Sequence, residues 1–169
     1  MFEIGERIIY GTNGVCDVVE ITSSPFDKND DRSYYVLSPV FDTANLRIYS
    51  PADNPNVVMR PVYDRPTLEG IIAGADSIRT IRVDNEKRRR DAYRSVIERA
   101  DAKGFISIIK TIAIRKTEFR KNRRRLPDLD SDFDHMARNC LYGELAVVLG
   151  IDRDEARSIV ERITEPKTE

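Results

Sequence analysis

Two periods of hydrophobic patterning divide this chain. Up to about residue 60, apolar residues come in short runs broken by turn chemistry, and where they alternate the repeat is two. Arg7-Ile-Ile-Tyr10 is one such run, and Gly11-Thr-Asn-Gly14 follows it with an Asn-Gly turn signal. Val15 to Ile21 sets Val15, Asp17, Val19 and Ile21 on one side and Cys16, Val18 and Glu20 on the other. Ser23 to Asp31 is polar, contains a proline and has no period, which reads as a loop. Ser33–Ser38, Leu46–Tyr49 and Val57–Met59 supply three further short strands. Short strands joined by tight turns predict a small twisted or barrel-like sheet.

After Arg60-Pro61 the spacing changes to three and four. A short helix is expected over Pro66–Gly74, with proline near its start. Asp84 or Asn85 is placed to cap a helix running to Arg99, with Ala92, Val96, Ile97 and Ala100 facing inward. The next helix buries Phe105, Ile108, Ile109 and Ile112, with Phe119 further along, until Arg123-Arg-Arg-Leu-Pro127 interrupts it. A helix from about Ser131 stacks Phe133, Met136, Ala137, Cys140, Leu141, Leu145 and Val148, and Gly150 stops it. Asp152-Arg-Asp-Glu155 has the form of a capping box for a last helix that buries Ala156, Ile159, Val160 and Ile163. Strands first and helices afterwards predict a segregated α+β chain. Its two modules are a sheet over residues 1–62 and an all-helical part over 63–169.

With 169 residues, there is room for two small modules of this kind. Hydrophobic residues at 40% and charged residues at 34% still suit a globular chain. No apolar run approaches the ~18 residues of a membrane helix. Acid at the amino terminus, where a secretory signal needs positive charge and then an apolar stretch, points to a cytoplasmic protein. Cys16 and Cys140 show no metal or redox spacing and are expected as reduced thiols.

The net charge of −1 conceals a sharp division. Residues 1–62 carry 5 basic and 9 acidic side chains, whereas residues 79–125 carry 17 and 6, a local net of +11. Residues 126–169 return to −6, with 5 basic and 11 acidic. A basic block between acidic regions marks a localised polyanion site.

Catalytic chemistry has little to work with. The single histidine, His135, lies in a helical pattern beside acidic residues, where a surface position is the simplest reading. The eight glycines are scattered and form no phosphate-binding loop. Asp128, Asp130, Asp132 and Asp134 resemble the start of a calcium loop. Counted from Asp128, however, Phe133 stands where that loop needs glycine, and Asn139 where it needs glutamate. These carboxylates are expected instead to favour the positive end of the helix that follows. Neither a cofactor nor a metal is expected, and no enzyme activity.

Two constellations suit binding. Lys87-Arg-Arg-Arg90 (Lys87, Arg88, Arg89, Arg90), Arg94 and Arg123-Arg-Arg125 (Arg123, Arg124, Arg125) fall within the helical module. Four successive basic residues spread around a helix and cannot all face the core, and guanidinium groups suit phosphate oxygens. A solvated charged surface is the competing reading. On the strand Asn45–Ser50, alternation puts Leu46, Ile48 and Ser50 on one face and Arg47 and Tyr49 on the other. That pair suits a protein interface or, equally, a packing pair near solvent. The edge of such a sheet also suits addition of a partner strand.

The whole chain resembles the CarD/CdnL family of bacterial RNA-polymerase-binding transcription regulators. The resemblance begins with Phe2-Glu-Ile-Gly-Glu-Arg-Ile-Ile-Tyr-Gly-Thr-Asn-Gly-Val15 and continues through Tyr34-Tyr-Val-Leu37 and Leu46-Arg-Ile-Tyr-Ser-Pro-Ala-Asp-Asn54. In the helical half, Tyr142-Gly-Glu-Leu-Ala146 is similar to the family's late helix. The resemblance implies a Tudor-like module that docks on the RNA polymerase β subunit through Leu46, Arg47, Ile48 and Tyr49. It also implies a helical module that contacts promoter DNA and modulates the open complex, in a monomer without catalytic activity. The basic residues above are the candidates for that DNA contact. Two positions depart from the family. Tyr49 stands where many relatives have arginine, with Arg47 two positions earlier. Actinobacterial relatives also wedge a tryptophan against the minor groove, whereas this chain has none and reads Asp84-Asn-Glu-Lys-Arg-Arg-Arg90 there. A protein-only adaptor whose basic helices stay solvated is the alternative, and a nuclease a distant third.

Overall fold

The computed structural model describes residues 1–167. Five strands come first: β1 (Arg7–Tyr10), β2 (Val15–Ser23), β3 (Ser33–Pro39), β4 (Ile48–Pro51) and β5 (Met59–Pro61). They form one antiparallel sheet in the order β4-β3-β2-β1-β5, which leaves β4 and β5 as its edges. Five helices follow: α1 (Arg65–Ala73), α2 (Glu86–Ile97), α3 (Ala102–Lys121), α4 (Asp128–Leu149) and α5 (Arg153–Thr164). The segregated α+β order expected from the patterning is the order observed. No helix among the described residues is long and apolar enough to cross a membrane.

Local chemistry explains the boundaries. The Asp64 carboxylate accepts from the Thr67 amide ahead of Pro66 in α1, and Asn85 does the same for Arg88 at the start of α2. Asp152 and Glu155 complete a reciprocal capping box on α5. Gly150 ends α4 with φ 66°, a left-handed conformation that costs glycine nothing. The turn expected at Gly11–Gly14 joins β1 to β2: Gly11–Asn13 forms a 3-10 turn, and both Gly11 and Gly14 take a positive φ. A bulge between Val18 and Glu20 breaks the alternation of β2, leaving Val19 and Ile21 partly exposed.

The sheet buries one face as its own core. Ile8, Tyr10, Cys16, Val18, Tyr35 and Leu37 meet there, with Ile48, Val57 and Met59 packed around them. Ile9 and Val15, on the opposite face, belong to the larger helical core with Leu68, Tyr93, Phe105, Ile109, Ile112, Leu141 and Val160. Sheet and helices therefore share buried surface.

One polar grip crosses the same seam. The Arg60 guanidinium on β5 donates to both carboxylate oxygens of Glu144 on α4, at 2.7 and 2.8 Å, and from Nε to the Ala100 carbonyl at 2.8 Å. Glu144 is fully buried and also accepts from the Tyr63 amide at 3.1 Å. Arg60 lies 4.2 Å from the centre of the Tyr63 ring. A buried carboxylate with this many donors is satisfied, as its desolvation demands.

Candidate functional site

The first candidate surface is the β4 edge and the loop before it. The strand begins at Ile48, two residues later than the pattern suggested for this surface. Asp42 causes the difference: its carboxylate accepts from the amides of Ala44 and Leu46 at 3.2 and 2.7 Å, and Asn45 turns the chain at φ 54°. Those hydrogen bonds hold the Asp42 carboxyl below its ordinary range. Leu46 is consequently half exposed on the loop and does not join Ile48 and Ser50 on the inner face. From Ile48 onward the alternation holds. Ile48 and Ser50 pair with Leu37 and Tyr35 on the core side, and Tyr49 pairs with Val36 and faces outward, 43% exposed.

Arg47 does come to the face of Tyr49. Its Nη1 donates to Ser38 Oγ at 2.8 Å, and Ser38 pairs across the sheet with Asp17, which holds Arg7 at 2.8 Å. The result is a polar row on the same face as Tyr49. An aromatic group stands beside it. Phe26 reaches over from the β2–β3 loop with its side chain largely in solvent, its ring edge-on to Tyr49 at 6.0 Å and to Tyr34 at 6.5 Å. Arg32 grips Asp30 through two hydrogen bonds of 2.9 and 2.8 Å, and the Tyr34 hydroxyl donates to the same carboxylate. The Arg32 guanidinium holds the Asp30 carboxyl well below the usual range. Phe26 was not singled out in the sequence. Its signal was a lone aromatic inside an otherwise polar loop.

The second candidate surface is basic. Lys87, Arg88, Arg90 and Arg94 on α2 are exposed, as are Arg123, Arg124 and Arg125 between α3 and α4. Arg89 is not. It is 3% exposed and its guanidinium meets Asp130, which is wholly buried. Arg89, one of the candidate DNA contacts, is thus turned into the core while its neighbours face outward. Helix α4 starts at Asp128, three residues earlier than expected, and its first turn carries Asp130 into the core. There Asp130 accepts from Arg89 at 3.2 and 3.4 Å, from Arg115 at 3.0 and 3.2 Å, and from the Tyr93 hydroxyl at 2.8 Å. Burial, then the hydrogen bond to Asp130, pushes the Tyr93 phenol above its ordinary value. One carboxylate thus ties α2, α3 and α4 together.

The outer members are arranged around this hub. Arg115 and Arg124 each place a guanidinium 5.3 Å from the Phe119 ring, an attractive cation–π geometry. Arg123 occupies the position after α3 in a left-handed conformation, φ 53°, while the Arg124 amide closes onto the Phe119 carbonyl at 2.8 Å. Glycine usually fills that position. Arg90 and Arg94 line a groove of about 600 Å³ together with Pro127, Asp128, Asp132 and Phe133. Asp128 also pairs with Arg125 at 2.7 Å, so acidic side chains stand directly beside the basic ones.

His135 is exposed and lies 3.0 Å from the Asn139 side-chain nitrogen. Cys16 and Cys140 are buried free thiols, both pushed up to about 12 by burial. Among the described residues, no group of three His, Cys, Asp or Glu side chains is placed to hold a metal ion.

No curated protein matches the chain. Residues 2–63 match the family model described as the CarD-like/TRCF RID domain, a span that takes in all five strands and both edges of the sheet. Over this span the N-terminal sheet is similar to the CarD-like/TRCF RID domain.

Proposed function

We propose that this protein is a non-catalytic transcription regulator. It docks on the β subunit of RNA polymerase through Leu46, Arg47, Tyr49 and the β4 edge at Ile48, with Phe26 completing the apolar part of the contact. It lays Lys87, Arg88, Arg90, Arg94, Arg123, Arg124 and Arg125 against promoter DNA and modulates the stability of the open complex. The observation that carries this reading is the RID-domain match over residues 2–63, whose β4 edge is unpaired and flanked by exposed Tyr49 and Phe26. Aromatic and arginine side chains are the usual anchors of protein interfaces. Seven exposed cations on two adjacent segments support the DNA half. Arg89 has a structural role instead.

The energetics require little from the DNA contact. Once polymerase holds the sheet, phosphate binding by the helices is intramolecular and needs only weak intrinsic affinity. A differential stabilisation of ~1.4 kcal/mol changes the open-to-closed ratio about tenfold. Phosphate contacts carry no base reading and weaken with salt. This reading places the protein in the cytoplasm, on the nucleoid with polymerase, as a monomer without cofactor.

The adaptor reading draws support from the side chains of Glu86, Asp128 and Asp132 that line the same groove as Arg90 and Arg94. One comparison separates the two: open-complex lifetime with the cognate polymerase for wild type, Arg47→Glu and the Arg123/Arg124/Arg125→Ala triple variant. Lengthening by wild type that both variants abolish supports the two-contact function. Loss with Arg47→Glu alone leaves an adaptor. No lengthening together with no polymerase binding removes the proposal.

A further inference from the structure

We propose that Gly143 and Glu144 of α4 are positioning residues that fix the angle between the sheet and the helices. This rests on the two-contact function above, since it explains how one contact is aimed relative to the other. Tyr142-Gly-Glu-Leu-Ala146 had no role in either candidate surface, yet two of its residues reach the sheet at separate places. Glu144 takes the Arg60 guanidinium of edge strand β5 in a two-point grip. Gly143 takes the opposite side of the sheet, where the β3–β4 loop comes down on α4.

Phe41 makes that second attachment. A methyl group at Gly143 would stand 3.3 and 3.4 Å from Phe41 Cε2 and Cδ2, so the ring rests against bare helix backbone. The Arg153 guanidinium lies 4.8 Å from the centre of the same ring, and its Nη2 donates to Asn139 Oδ1 at 3.3 Å. Phe41 adjoins Asp42, the residue that holds the Leu46 amide, so the attachment reaches the polymerase-facing loop within one residue. Consecutive helical residues point about 100° apart, so Gly143 and Glu144 hold the sheet from two directions. A third contact lies between them, where the Cys140 thiol meets the Thr12 carbonyl at 3.3 Å. Attachment at several separated points opposes rotation of one module on the other, which a single ion pair does not. The gain is functional: two weak contacts reinforce one another only if both fit at once.

Gly143→Ala is the sharper test because it acts on orientation without removing a bond. Alanine strengthens an α-helix, so a loss of folding is not expected from α4 itself. The added methyl presses on Phe41, whose ring and loop must give by a few tenths of an ångström. Glu144→Gln is the second variant and weakens the Arg60 grip. Spin labels on Glu20→Cys and Ser158→Cys, both exposed, report the distance between sheet and helices. Wild type gives a single narrow distribution, and both variants shift or broaden it. Polymerase and duplex affinities each stay within about twofold of wild type, while the lengthening of open-complex lifetime falls by about fivefold or more.

Distributions as narrow and as placed as in wild type, in both variants, overturn the proposal. So does a broadened distribution with the lifetime effect intact. Failure of the two-contact reading looks different: wild type itself then leaves the lifetime unchanged while the variants still broaden the distance, which upholds the mechanical role of Gly143 and Glu144.

Discussion

Removing the Asp130 carboxylate should destabilise the helical module more than any change at the exposed basic residues. Asp130 is wholly buried and accepts from two guanidinium groups and one phenol. In Asp130→Ala, Arg115 can turn towards water, because its side chain is 21% exposed. Arg89 cannot, at 4% for its side chain, and Tyr93 loses its acceptor at the same moment. Breaking a buried ion pair from one side costs about 3–5 kcal/mol, and the phenol adds little beyond that because the groups share one site. At about 2–4 °C per kcal/mol for a chain of this length, melting should fall by roughly 6–20 °C. Circular dichroism on heating, with urea unfolding as a check, measures it. The combined Asp130→Leu and Arg89→Met variant should recover most of the loss, since an apolar pair of similar volume leaves no orphan charge. A change of less than about 0.5 kcal/mol in Asp130→Ala, the scale of ordinary surface substitutions, would refute the hub. A double variant as unstable as the single one would do the same.

Arg123→Gly should raise stability by about 1 kcal/mol by relieving the left-handed conformation after α3. The same variant should lower the salt slope of duplex binding by about 1, and a stability gain with an unchanged slope would separate Arg123 from phosphate contact. The buried thiols give a pH dependence. Cys16 and Cys140 rise from an ordinary value of 9.0 to about 12 by burial, so the folded chain keeps protons that the unfolded chain releases. Their contribution is complete below pH 9 and is lost as pH climbs towards 12, so the urea midpoint should drop across that window less steeply in Cys140→Ala than in wild type. Neither thiol should react with a disulfide reagent in the native protein at about pH 8.

The elements that sequence patterning located well are those whose cause is local. The capping box at Asp152, the stop at Gly150 and the inward stripe Phe105–Ile112 follow from neighbours within one or two turns. What escaped depended on distant partners. In Lys87–Arg90, four successive side chains span most of a helix circumference, so one had to turn inward. That it was Arg89 is decided by Asp130, 41 residues further on. Asp130 itself looked like one carboxylate of a helix-favouring run, and nothing nearby marked it for burial. Leu46 left its expected strand because Asp42 captured its amide, and Phe26 joined Tyr49 only once the sheet had brought the β2–β3 loop to β4. Both candidate surfaces were thus found at the level of segments, while the facing of individual side chains required the fold.

The two edges of the sheet carry a consequence for behaviour in a crowded cell. Strand β4 has four residues and ends in Pro51, and β5 has three and ends in Pro61. Proline supplies no amide donor, and strands this short present few others, so neither edge can template a long ladder. A second copy arriving edge to edge finds too little backbone to hold, which guards the folded protein against stacking into aggregates. The same shortness limits any polymerase strand added at β4 to a brief register, where the side chains around it must supply the recognition that main-chain pairing cannot.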